Sequence, residues 1–152
     1  MISRTTYKRL GLLGCVVLAG LASTGLALAA GAPVVATAVG VGTLKTPVTI
    51  HAKAGAMVVD VIKIAPGGDF GWHTHGSAVA VVITGGTLTV WDPTVAACAP
   101  QRYSKGAAFI EPAGHLHRAR NDGTRPVTLY ATYLGLHGAS ANIAGAAPAS
   151  CA

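Results

Sequence analysis

The sequence predicts an all-β fold, a barrel or sandwich of short strands, on three observations. Runs rich in Val, Ile and Thr recur at strand length: Pro47 to Lys53, Met57 to Ile64, Val79 to Thr84, Thr87 to Trp91 and Val127 to Leu134. Turn residues punctuate them at Pro66-Gly67-Gly68, Gly85-Gly86, Pro112-Ala113-Gly114 and Asn121-Asp122-Gly123. No segment carries a convincing helical period, and there is no internal repeat.

Taken in order, the chain opens on Met1 to Arg9, with Arg4, Lys8, Arg9 and no acid, and then runs uncharged from Leu10 to Leu44. A basic head, an apolar middle and the small-residue site Ala27-Leu28-Ala29 describe an export signal over residues 1–29, cleaved after Ala29. Two other readings stay open. The apolar run is long enough to remain as a membrane anchor. Leu12-Leu13-Gly14-Cys15 resembles a lipoprotein cleavage box, although few apolar residues precede Cys15. Each reading places the working part outside the cytoplasm.

Cleavage leaves 123 residues, one domain, made up of an extension (30–46), a barrel (47–135) and an Ala- and Gly-rich tail (136–152). The signal takes three of the eleven basic residues, so the net charge of +6 falls to about +3 against the five acids Asp60, Asp69, Asp92, Glu111 and Asp122. No basic stripe interleaved with aromatics remains, which argues against nucleic-acid binding. After signal cleavage nothing suggests stable membrane contact. In an oxidising compartment Cys98 and Cys151 favour an intrachain bridge over free thiols, and the bridge would tether a tail that is otherwise mobile.

Within the barrel, Val79 to Thr84 and Thr87 to Trp91 flank Gly85-Gly86 as the arms of a hairpin would. Asp92 to Lys105, with Pro93, Cys98 and Pro100, reads as a surface loop. Ala107 to Glu111 returns as a strand, and Tyr130 and Tyr133 fall on opposite faces of the strand Val127 to Leu134.

The chemistry lies in the histidines. His73 and His75, two apart on the strand Phe70 to His75, project to one face and can reach one ion, while Trp72 points away. Alone, that pair is weak evidence. A second pair, His115 and His117, follows the Pro112-Ala113-Gly114 turn, so that opposite strands could close a site. His51 and His137 stand outside both clusters and are expected to be exposed.

At this point the chain resembles the cupins, small double-stranded β-helix barrels of jelly-roll type that carry two short motifs. The second motif, Gly, five residues, Pro-x-Gly, two residues, His, three residues, Asn, is matched throughout by Gly106, Pro112, Gly114, His117 and Asn121. In the first, Gly67, His73, His75 and Gly86 match, but the glutamate is missing and Val79 stands in its place. The resemblance implies a divalent metal, Fe, Mn, Ni, Cu, Co or Zn, on His73, His75 and His117; His115, two residues before His117 and on its strand face if the strand begins there, is the candidate fourth ligand or proton-transfer group. Losing the glutamate would leave a stronger Lewis acid that is more weakly bound. Glu111, the sole glutamate, is a second residue that could compensate for the missing one, but it precedes the Pro-x-Gly turn and is expected to face solvent.

Three function classes remain open. Some cupin dioxygenases use three histidines without the glutamate, which implies a dioxygenase-like enzyme on a small metal-chelating substrate. The alternatives are a metal-assisted isomerase, lyase or hydrolase, and a non-catalytic barrel that holds a small molecule or the metal itself. The resemblance also implies a homodimer.

Overall fold

The computed structural model describes residues 36–138 and 141–151, so the expected signal, 1–29, lies outside the described residues. Among the described residues, nine strands follow one another: β1 (Ala56–Ile64), β2 (Asp69–Thr74), β3 (Ala78–Gly85), β4 (Thr87–Trp91), β5 (Gln101–Ser104), β6 (Ala108–Glu111), β7 (His117–Arg120), β8 (Val127–Leu136) and β9 (Ile143–Ala144). They form two antiparallel sheets, ordered β1-β8-β3-β6 and β5-β4-β7-β2-β9. This is the all-β, jelly-roll architecture expected of the sequence.

The core lies between the sheets and follows the period of two. On β8, Val127, Leu129, Ala131 and Tyr133 are buried while the residues between them are half-buried. Val79, Val81 and Ile83 of β3 face the same interior, with Leu88 and Val90 of β4 opposite. Each large apolar side chain so enclosed contributes about 1.5 to 3 kcal/mol relative to exposure.

Three local expectations change. Gly85-Gly86 does not close a hairpin, because β3 pairs with β8 and β6 while β4 pairs with β5 and β7. The chain instead turns a corner from one sheet to the other. Gly86 takes φ +71° there, and a Cβ would lie 2.6 Å from the Pro126 carbonyl oxygen. Pro47 to Lys53 forms no strand: Val48 and Ile50 are exposed, and without a neighbouring strand to pair with, β propensity has nothing to act on. The stretch read as a loop, Asp92 to Lys105, contains β5.

Asn121 joins the ends of the two motifs. Fully buried, its Nδ2 donates to the carbonyls of Ile64 and Arg125 at 2.9 Å each, and its Oδ1 accepts from Gly123 N–H at 3.0 Å. Asn121→Ala removes all three bonds and leaves the buried Ile64 carbonyl unpaired, which should cost about 1 to 3 kcal/mol. Urea unfolding checks this; an unmoved midpoint would show that solvent replaces the bonds.

The tail is tied down. Cys98 and Cys151 form a disulfide across a separation of 53 residues. β9 adds to the free edge of β2, with His73 opposite Ala144 and Thr74 opposite Ile143. In the chain-entropy view the bridge contributes about 4 kcal/mol, less any strain. Replacing both cysteines by serine should lower unfolding stability by that order, whereas a parent indifferent to reductant would mean β9 docks unaided.

Candidate metal centre

A bulge places the first two histidines. The pairing of β2 with β7 shifts between Asp69 and Trp72, where Gly71 takes φ +69° and donates its N–H to Asp69 Oδ1 at 2.8 Å. Gly71 then offers its carbonyl to the ring of His73, which pairs directly with His117 of β7. The Pro112-Ala113-Gly114 turn is fixed against the end of β2 by Gly114 N–H donating to the His75 carbonyl at 2.8 Å.

These constraints bring His73, His75 and His117 together. All three are buried, their ring centroids lie 4.3 to 5.1 Å apart, and one nitrogen from each falls within 4.8 Å of the others. Every Nδ1 meets a backbone carbonyl: His73 meets Gly71 at 3.0 Å, His75 meets Ala141 at 2.7 Å and His117 meets His115 at 2.9 Å. A carbonyl only accepts, so each Nδ1 carries the proton. In the neutral ring Nε2 is therefore left with its lone pair. That is the arrangement in which histidines bind metal, the outer hydrogen bond fixing both tautomer and orientation. His75 owes its bond to the tail, whose Ala141 no motif marks.

His115 is not brought into the cluster. Its Nε2 lies 2.9 Å from Asp92 Oδ2, and its ring stacks on that of His117 at 6.5 Å. Trp72, half-buried, alternates with the histidines as expected, and His51 and His137 are exposed.

Glu111 reverses its expectation. Only 12% of its side chain is exposed, and it reaches inward with Oε2 3.1 Å from His75 Nε2 and Oε1 3.1 Å from His117 Nε2. The alternation of β6, which opens the turn, points it inward; its neighbours on β3 supply apolar walls. Burial works to raise its pKa, but the His117 and His75 imidazoles outweigh this and hold the carboxyl down at about 2. Burial likewise opposes charge on His117, yet the facing Glu111 raises its pKa. His73 moves the other way, burial lowering it, with the neighbouring imidazoles adding to the shift. A signal did exist in the sequence: one acid ends the otherwise uncharged run Ala107 to Ile110.

Two spaces adjoin the cluster. A cavity of about 30 Å³ lies against His73, His75, Glu111, Val81 and Tyr133, with Asn142 of the tail on its wall. Burial pushes the Tyr133 phenol up to about 12, so it keeps its proton and can donate a hydrogen bond. On the far side of Glu111 and His117 a 270 Å³ pocket is bounded by Asp92, His115, Gln101 and Tyr103.

A profile of the cupin domain family matches residues 60–133, which contain both histidine strands. Residues 60–133 form a cupin domain. Among solved structures, the chain is similar to the polyketide cyclase RemF of Streptomyces resistomycificus, at 16% identity and TM-score 0.47, over 53% of this chain and 56% of that one. It is also similar to a cupin domain from Bordetella pertussis Tohama I, at 22% identity and TM-score 0.45, over 57% and 88% of the two chains. The cupin domain of Schizosaccharomyces pombe Cnp3 matches at 20% identity and TM-score 0.48, over 57% and 61%. No curated protein matches significantly. In this cupin, three buried histidines are placed to hold a metal ion.

The donor set fits such an ion. His117 Nε2 is buried without a hydrogen bond, although a carboxylate oxygen stands 3.1 Å away. Lone pairs of imidazole and carboxylate so directed repel each other unless a cation or proton lies among them.

Proposed function

We propose that the protein is an exported metalloenzyme of the dioxygenase type, acting on a small molecule that chelates the metal. The observation that carries this reading is the convergence of one ring nitrogen from each of His73, His75 and His117, in rings whose Nδ1 is held by a backbone carbonyl. A divalent metal held there would supply a Lewis-acid or redox centre with positions left for other ligands.

The chain's own groups define what can approach. The 30 Å³ cavity beside His73 admits molecules of water or dioxygen size, since one water needs about 10 to 15 Å³ on this measure. An organic ligand would enter from the 270 Å³ pocket, which lies just under the usual range of about 300 to 1,000 Å³ for ligand sites and so favours a small substrate. There the Asp92 carboxylate, engaged by Thr94 and His115, would orient the substrate's donors, while the Tyr133 phenol would donate to an anionic group at the inner cavity. The Cys98–Cys151 disulfide supports export, because such bridges persist in oxidising compartments.

A second reading, a barrel that holds metal without turnover, is favoured by the smallness of the inner cavity and by the tail across it. Metal content and oxygen uptake separate the two. Stoichiometric redox-active metal in the exported protein, absent from a His73→Ala/His117→Ala variant, with oxygen consumed on some chelating substrate, supports the enzyme. Bound metal with no oxygen uptake on any such substrate supports the holder.

A further inference from the structure

We propose that Glu111 is the fourth protein ligand of this centre, a carboxylate relocated from the usual cupin position on β3 to the adjacent strand β6. The inference rests on the reading that the three histidines hold a metal. In the first motif the glutamate position is Val79, which is 1% exposed and apolar. Yet β3 and β6 run antiparallel with Val79 directly opposite Glu111. Side chains so paired stand on the same face of the sheet with Cβ atoms about 4.5 to 5.5 Å apart. A carboxylate lost at one position is thus supplied to the same interior by its cross-strand neighbour.

The distances from Glu111 to two of the three histidines agree with ligation. Glu111 places one oxygen 3.1 Å from His75 Nε2 and the other 3.1 Å from His117 Nε2. Two donors bound at about 2.1 Å and roughly 95° apart are separated by that length. Direct hydrogen bonding explains the approach less well, because the neutral rings carry their protons on Nδ1 and His117 Nε2 makes no hydrogen bond. The consequence is electrical. Three imidazoles leave a divalent ion its full charge inside an apolar barrel, whereas Glu111 halves it, so the missing motif glutamate does not leave the weakly bound, more acidic ion that its loss implies.

The test uses metal-free mature protein titrated with Co²⁺ and followed by calorimetry and visible absorption. Glu111→Gln should weaken binding by at least about 10- to 100-fold and alter the Co²⁺ spectrum. Combining Glu111→Val with Val79→Glu should restore most of the affinity, since it returns the carboxylate to the opposite position. Glu111 is the sole glutamate of the chain, so glutamate labelled with ¹³C at the carboxyl carbon reports on it alone in the unmutated protein. Its symmetric and antisymmetric stretches should change their separation when metal binds, whether or not the variants fold. Unchanged stretches in a parent that binds Co²⁺, or equal affinity and spectrum in Glu111→Gln, would overturn the ligand assignment while leaving the three-histidine centre standing. A parent that binds no Co²⁺, Zn²⁺ or Fe²⁺ would overturn both.

Discussion

His117→Ala should abolish metal-induced stabilisation, while His115→Ala should leave it nearly intact. In the parent, metal at a free concentration 100 times its Kd adds about 2.7 kcal/mol to the folded state, because it binds the native site and not the unfolded chain. For a domain of this size that corresponds to a rise in Tm of about 10 °C. His117 supplies a central donor: it is buried, paired in register with His73 and within reach of His75. Its removal costs an inner ligand, where disturbing even an outer hydrogen-bond partner costs about 10- to 100-fold in affinity. His115 lends the centre its backbone carbonyl, which accepts from His117 Nδ1, and a ring stacked on that of His117, while its own Nε2 is turned to Asp92. Differential scanning fluorimetry with and without metal reads both variants. Equal shifts in parent and His117→Ala would place the metal elsewhere, and loss of the shift in His115→Ala would return that imidazole to the inner set.

The histidine triad was legible in the sequence because each part of it is local. Spacing by one residue fixes a shared strand face for His73 and His75, and the Pro-x-Gly turn before His117 marks where the partner strand begins. What escaped reading is what depends on strands distant in the chain. That Glu111 sits opposite Val79 is a statement of cross-strand register, which no local pattern carries. The same limit applies at Gly85-Gly86, where a tight turn is readable but the choice between hairpin and sheet-to-sheet corner is made by β8 and β7 arriving as partners. The tail is the extreme case. Its Ala- and Gly-rich composition carries no period, yet the disulfide and the edge of β2 supply the order that places the Ala141 carbonyl on His75.

Metal-free protein should lose stability in acid through Glu111, and the loss should vanish in Glu111→Gln. A carboxyl whose folded pKa lies below its unfolded value stabilises the fold above the unfolded value, and this contribution fades as pH falls toward the folded one. For Glu111 those limits are 4.5 and about 2, a contribution on the order of 3 kcal/mol at neutral pH. His117 has the opposite sign. Its raised pKa gives stability that is complete below 6.5 and is lost as pH rises through the folded value, so in the absence of metal a proton on His117 does the work of the cation. His73, lowered by burial, adds a penalty as pH falls below 6.5. These terms separate by difference: unfolding free energies of parent and Glu111→Gln in chelator should stand about 3 kcal/mol apart at pH 6 and converge near pH 2. A gap constant with pH would mean the carboxylate acts by packing rather than by charge. Because a metal ion needs the imidazoles neutral, its affinity should strengthen as pH rises through the His117 titration, with uptake of the ion releasing a proton. Metal therefore restores on the alkaline side the stability that the departing His117 proton takes away, and the pH of greatest stability should move upward when the centre is filled.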